Sequence, residues 1–378
     1  MTTVEPSLSA GRPAATEPAR RGLPGLTAWL PTWDLITTKN LEIRKRGGLM
    51  ITMVVLIVAP TVLLYALRLL FHAVDPGSYG PAGSPDLFSQ VTNLISGLGF
   101  IAAAALGATA GTTDLTDGMF RHLVITGRSR VALYLARIPA GLAVLIPLVA
   151  LAFTMNCLVT SFEGSPGPTS VALYGVHAPQ RLDQAGLQAW LLKSPVRYAT
   201  TLPLDLGPGV TIPSAAQART AIDGDIGSLY ADYVASELSG SNPADNEMIK
   251  IGLWLELDTG IAFFAGLGLG SLTGQRTTTT IVLIALQVIV TPLLSSTQIP
   301  YFIDGQRLMI GIAMDQLRPA ALASGNAGGR GVPGQVLFGG RGALGIPPMP
   351  TWAMVAVIVG WIVGWSGIGA WRMKTRDA

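Results

Sequence analysis

Charge is the first thing this sequence is short of. Only 12% of its 378 residues are Asp, Glu, Lys or Arg, about half the ~25% of an ordinary soluble domain. That deficit excludes a disordered chain and a nucleic-acid-binding domain, and it argues against any soluble enzyme. Cysteine is nearly absent. Cys157 stands alone, so no disulfide can form within one chain. The three histidines, His72, His122 and His177, lie too far apart in sequence and in expected topology to share a metal. No Walker-type phosphate loop and no G-x-S-x-G elbow occurs. No catalytic residue, metal site or chain-borne cofactor is therefore expected.

What the chain has in abundance is apolar sequence in blocks of about 20 residues, the length that crosses a bilayer as a helix. Mean hydropathy is +0.48. Six blocks qualify: Leu49–Phe71, Leu87–Ala110, Val131–Val159, Ile251–Leu272, Ile281–Ile299 and Trp352–Trp371. The expected fold class is an all-α polytopic membrane protein with six transmembrane helices and a small extracytoplasmic cap. Residues 1–29 are rich in Pro, Ala, Gly and Arg and read as a disordered cytoplasmic tail without a signal peptide.

Direction follows from Lys and Arg. Fourteen lie in residues 1–48, the 112–130 loop, the 273–280 turn and the tail after Trp371, against four in the opposite loops 72–86 and 300–351. The positive side is the cytoplasm, so both termini are expected inside, as six crossings require. The site is the cell membrane. Residues 160–248 then form an outer cap with nine acidic and four basic residues and two helices, near Leu182–Leu192 and Ser214–Glu237. The outer loop 300–351 opens amphipathically over Tyr301–Leu322, enough to dip back into the membrane edge, and continues Gly-rich.

Small residues recur at spacing four. Ala262, Gly266, Gly270 and Gly274 share one helix face, as do Gly99, Ala103, Gly107 and Gly111, and Gly360 and Gly364 repeat the pattern in the last span. Such faces let helices approach closely and suit a tight bundle or a dimer. Three charges sit toward the outer ends of spans: Arg68, Glu256 and Asp258. Each costs roughly 2.5–3.5 kcal/mol at mid-membrane, and less near the rim. Two readings stand. They snorkel to the outer interface, or they line a substrate path, with Arg68 and Glu256 paired inside the bundle. Arg137, near the start of the third span, reads as a snorkelling anchor.

The segment Thr112–Arg130 is the most informative. Leu115, Met119 and Leu123 form one stripe, broadened by Phe120 and Val124. Asp114 and Asp117 favour its start and Arg128 and Arg130 its end. Gly127 suits a left-handed cap, and Ser129 can cap the next helix. A helix over 115–125 is about 16 Å long, too short to span. It either lies among headgroups or docks into a partner protein.

Asp117-Gly118 followed by Leu123-Val124-Ile125-Thr126-Gly127-Arg128-Ser129-Arg130 resembles a pattern of the ABC type-2 transporter permeases, the membrane subunits of ATP-driven exporters. The turn Gly270–Arg276 and the run ending Thr291-Pro292-Leu293-Leu294 are also similar. The resemblance implies six spans with both ends inside, an amphipathic elbow at residues 30–48 before the first span, and a coupling helix at 115–125. It implies that Leu115, Met119, Phe120, Leu123 and Val124 contact a separate ABC ATPase subunit, which holds ATP and Mg, and that a second permease copy, identical or paralogous, completes the unit in the lipid bilayer. No nucleic-acid partner is implied. The outer insertion of about 90 residues departs from the family, and Pro31–Arg46 is only loosely amphipathic, since Leu35 and Leu41 lie off the face of Trp33, Ile36 and Ile43. A non-transporting membrane scaffold with a partner-binding cap is the alternative reading.

Overall fold

The computed structural model describes residues 31–116, 129–162, 170–173, 176–199, 201–202, 214–240, 242–290, 305, 307–319, 322 and 349–375. The tail expected over residues 1–29 lies outside them. The described structure is mostly helical. Five helical stretches are long and apolar enough to cross a membrane: 47–74, 85–113, 130–162, 245–273 and 351–375. The chain is a polytopic helical membrane protein.

A short helix α1 (Trp33–Lys45) precedes the first span. The chain turns at Arg46, where Gly47 and Gly48 follow, into α2 (Gly47–Ile57) and α3 (Ala59–Val74). The break at Val58 comes just before Pro60, which lacks the N–H needed to continue the ladder. Next come α4 (Pro85–Thr116) and α5 (Arg130–Phe162). Proline at the first position of α4 suits a helix start, because that N–H has no intrahelical partner anyway. Ser129 caps α5, its Oγ accepting from the Ala132 N–H at 3.1 Å.

The region between α5 and the fourth span has a hydrophobic core of its own. It holds β1 (Ser170–Leu173) and β2 (Val176–Pro179), paired antiparallel, then α6 (Gln184–Leu191), α7 (Pro195–Ala199) and α8 (Ala215–Gly240). Val171, Leu173, Leu187, Leu191, Ile222, Leu229 and Tyr233 form the core. The hairpin is a small β element in an otherwise helical protein, and the sequence did not mark it. Val171 and Leu173 alternate with residues on the other strand face over only four positions, a period-2 signal too short to stand out from loop sequence.

The fourth span is α9 (Asp245–Thr273), and α10 (Arg276–Ala285) follows and continues as a π-helical turn over Leu286–Val290. The fifth expected span, Ile281–Ile299, is thus described only to Val290, and its remainder lies outside the described residues. A short helix α11 (Ile310–Gln316) and the last helix α12 (Thr351–Thr375) complete the chain.

Contacts fix the helix directions. Ser96 meets Asp258, while further along Gly111 abuts Leu267 and Ser271, so α4 and α9 run parallel. Arg137 reaches Gly111 and Asn156 reaches Thr92, so α5 runs against both. Gly268 abuts Trp365, and Ile261 shares an apolar cluster with Ile358, so α12 also runs parallel to α9.

The α4–α9 seam is backbone against backbone. A Cβ on Gly111 would sit 2.7 Å from the Leu267 carbonyl oxygen, and one on Gly270 would sit 2.9 Å from that of Ala108. On Gly107 it would overlap the Phe263 carbonyl and approach the Leu267 nitrogen at 2.8 Å, and on Gly266 it would overlap the Ala104 carbonyl. A Cβ on Gly99 would meet the Thr259 methyl at 2.9 Å. Three glycines depart from the expected stripes. Gly274 is not on the seam but ends α9 in the left-handed conformation, with φ 68°, which costs glycine little. Gly360 and Gly364 have nothing within 4 Å of an added Cβ. They line a shallow apolar hollow of about 490 Å³ with Leu308, Trp361 and Trp365, because α12 turns another face to α9.

Candidate functional site

The intramembrane charges are the groups that most need explaining, and the bundle treats them differently. Asp258 is buried on α9 and accepts a hydrogen bond from Ser96 Oγ at 2.7 Å. The cation whose field reaches it is Arg318, just past α11. Arg318 donates to Asn93 Oδ1 on α4, and its guanidinium lies 5.6 Å from the centre of the Trp254 ring. Trp254 in turn donates through its indole N–H to the Met314 carbonyl at 3.0 Å. Ile310, Ala313 and Met314 pack against Ile261 and Ile358, well inside both long helices. Ser96, Asn93, Trp254 and the half-buried Arg318, from three segments, therefore gather around the buried Asp258 carboxylate, as a charge in a low-dielectric interior requires.

The expected Arg68–Glu256 pair does not form. Arg68 instead lies 6.0 Å from the centre of the Tyr79 ring, and Tyr79 stacks on Phe71 at 5.2 Å. The connection after α3 folds back over Arg68, and His72 Nδ1 lies 2.6 Å from the Tyr79 carbonyl. Asp75 organises this turn by accepting from the Gly77 and Ser78 amides at 3.1 and 3.2 Å. Hydrogen bonding from Ser78, side chain first and then backbone, holds the Asp75 carboxyl below the usual carboxylate range. An aromatic face supplies the compensation that the sequence reading sought in a carboxylate.

Glu256 has neither a side-chain hydrogen bond nor an ion pair among the described residues. It faces a groove of about 390 Å³ between α5 and α9. A third polar network lies deeper in the bundle. Tyr65 donates to Asn156 Oδ1, and Asn156 Nδ2 donates to Thr92 Oγ1 at 2.9 Å. This ties α3, α5 and α4 together.

At the Lys/Arg-rich end, α1 docks on α5. Asn40 Nδ2 donates to the Ala140 carbonyl at 3.0 Å. Lys39 is buried and pairs with Glu42 at 2.9 Å. Trp33 and Leu41 point outward, so the docked face carries Lys39 and Ile43. Arg137 corrects the snorkelling expectation. It is buried and donates to the Gly111 carbonyl at 3.1 Å, which joins α5 to α4. An arginine here satisfies a main-chain acceptor near a helix end, and its pattern in sequence does not differ from that of a snorkelling anchor.

The segment expected to form a separate short helix at 115–125 is only partly described. Leu115 belongs to α4, which continues unbroken to Thr116. The Thr109, Thr112 and Thr113 hydroxyls bond to carbonyls four residues back, a pattern that holds threonine in a helix without exposing its hydroxyl. Met119, Phe120, Leu123 and Val124 lie outside the described residues. Among the described residues no group of three or more His, Cys, Asp or Glu could hold a metal ion.

Arg318 and Asn93 are the site residues that sequence reasoning missed. The signal was a buried aspartate without a cation, and an arginine within the amphipathic run Tyr301–Leu322. No protein-family model matches this chain, and a search of curated proteins finds no match.

Proposed function

We propose that this chain is the membrane subunit of an ATP-driven exporter of the ABC type-2 kind, with the 115–125 segment as the contact for a separate ATPase that binds ATP and Mg. The observation that carries this reading is the anchoring of both helices that flank the loop. α4 is locked to α9 along a glycine seam, and Arg137 joins α5 to the last turns of α4. Helix α1 braces α5 from the side. A push on the loop therefore moves a rigid body rather than fraying a helix end, as two-state coupling requires.

Helix direction supports six crossings with both termini on the Lys/Arg-rich side. α9 and α12 run parallel, which favours a return across the bundle between Thr273 and Thr351. The helix from Arg276 to Val290 starts that return. A second copy of the chain, or a paralogue, completes the path in the bilayer. The folded region over 170–240, with a core of its own, favours a second reading, a scaffold that moves nothing.

Purification of the full chain from its native membrane in mild detergent separates the two. The exporter reading expects a nucleotide-hydrolysing subunit to co-purify, and expects Met119→Asp or Leu123→Asp to insert normally but lose it. A wild-type preparation without ATPase, or variants that keep it in full, would overturn the exporter reading and leave the scaffold.

A further inference from the structure

The groove that holds Glu256 is built for a ligand of particular chemistry. It runs between α5 and α9 and is walled by Ala150, Phe153 and Cys157 on one side and by Gly252 and Glu256 on the other, with Asp245 at its mouth. Its volume of about 390 Å³ lies in the range of small-molecule sites, roughly 300–1,000 Å³. Gly252 shapes the floor, since a Cβ there would press on the Phe153 ring at 3.0 Å. Ile249 and Leu253 on the rim are 64% and 62% exposed, so the groove opens sideways within the apolar band of the bundle.

Both charged groups in the lining are acidic, and the lining contains no Lys, Arg or His. Asp245 sits in the first turn of α9, where the helix dipole accounts for it. Glu256, eleven residues further, is about 16 Å along the helix and has no such compensation. Asp258, Arg68 and Arg137, the other charges within the apolar blocks, have local partners: Ser96 for Asp258, the Tyr79 ring for Arg68 and the Gly111 carbonyl for Arg137. A carboxylate in an apolar groove favours an occupant that brings a positive charge and an apolar body. A phosphate would be repelled, and a neutral lipid tail would leave the carboxylate uncompensated. Phe153 adds an aromatic face to which a cation is attracted.

We propose that the α5–α9 groove is a lateral binding site for amphiphilic organic cations, with Glu256 as the counter-charge and Phe153 as the wall. The site goes beyond the exporter reading and stands whether or not an ATPase binds the 115–125 segment.

The test uses the full chain in phosphatidylcholine nanodiscs, with binding of tetraphenylphosphonium corrected for empty discs. Wild type is expected to show saturable binding, weakened about tenfold or more in Glu256→Gln because a charge pair at low dielectric is lost. Ala150→Phe, which keeps the charge but fills the groove, is expected to weaken it too. Tetraphenylborate, of the same shape and opposite charge, is expected to show no saturable binding. Cys157 is the single thiol of the chain, so its labelling by a maleimide is expected to slow when the cation is bound. No saturable binding in wild type, or equal binding by Glu256→Gln or by Ala150→Phe, would overturn the proposal.

Discussion

Replacing Gly107 with alanine is expected to destabilise the bundle, while the same change at Gly360 is not. At Gly107 the new methyl would overlap the Phe263 carbonyl and lie 2.8 Å from the Leu267 nitrogen. Both obstacles are main chain, so neither can rotate aside. The only relief is to separate α4 from α9, and a gap of 0.5–1 Å forfeits about a quarter to a half of each dispersion contact along the seam. Overpacking of this kind costs about 1–3 kcal/mol. Alanine's better helix propensity offsets roughly 0.5–1 kcal/mol of it, and the balance remains destabilising because several turns are affected at once. At Gly360 nothing lies within 4 Å, so only the propensity gain is left. Thermal denaturation of both variants in detergent, followed by fluorescence of the eight tryptophans, reads the difference. The expected order of Tm is Gly107→Ala below wild type and Gly360→Ala at or above it. A Gly107→Ala protein that melts with the wild type would refute the close seam, and a large loss at Gly360 would refute the open placement of that face.

Two further outcomes are expected. Asp258→Leu should cost about 1–3 kcal/mol, because Ser96 loses its acceptor and the half-buried Arg318 a nearby counter-charge, while Arg318 keeps its bond to Asn93. Adding Arg318→Met should recover most of the loss, and strictly additive melting shifts in this double-mutant cycle would show that the two charges do not interact. In the region over 170–240, Tyr233→Phe removes a hydroxyl that donates to the Pro179 carbonyl at 2.6 Å and accepts from the Leu182 amide at 3.1 Å, at a cost of about 1–2 kcal/mol. Burial, aided by the charge of Glu237 and the neighbouring Tyr230, pushes the Tyr233 phenol up. The fold thus favours the neutral phenol, and stability should fall as pH rises above the unfolded value near 10. Urea unfolding across that range should show the slope in wild type and a weaker one in the variant.

The spans were legible because bilayer physics writes them into length and hydropathy alone. Trp352–Trp371 needs no knowledge of its neighbours to be read as a crossing. The seam between α4 and α9 was half legible. Spacing four marks Gly107 and Gly266 as packing positions, but the same spacing marks Gly360 and Gly364, which pack on nothing described. A stripe says that a helix can be approached closely, not that anything approaches it. The charge partners were not legible at all. Asn93 and Arg318 are 225 positions apart, and Arg318 sits in a stretch that charge counting assigned to an outer loop. Arg68 failed for a different reason. Its partner is an aromatic ring four residues beyond Asp75, and a search limited to opposite charges does not see it.

The distribution of packing within the bundle bears on how it could change shape. α4 and α9 meet through main chain, and a seam of that kind has no side chains whose rotamers could absorb sliding. α5 joins α4 at both ends by polar ties, Arg137 to Gly111 and Asn156 to Thr92. The first span is held mostly by side chains and keeps a long apolar face outward, including Val55, Leu63 and Leu70, whereas α12 meets α9 through main chain, since a Cβ on Gly268 would lie 2.6 Å from the Trp365 carbonyl oxygen. Rearrangement is cheapest where side chains can repack and where no buried polar bond must break. α4, α5 and α9 should therefore move as one piece, with α12 held to it at Gly268, and α2–α3 is the element able to shift against it. The Tyr65–Asn156 bond sets where the first span resists such a shift. Among the described residues, its α2 half, before the break at Val58, makes no polar tie to the central helices and is the part freer to swing.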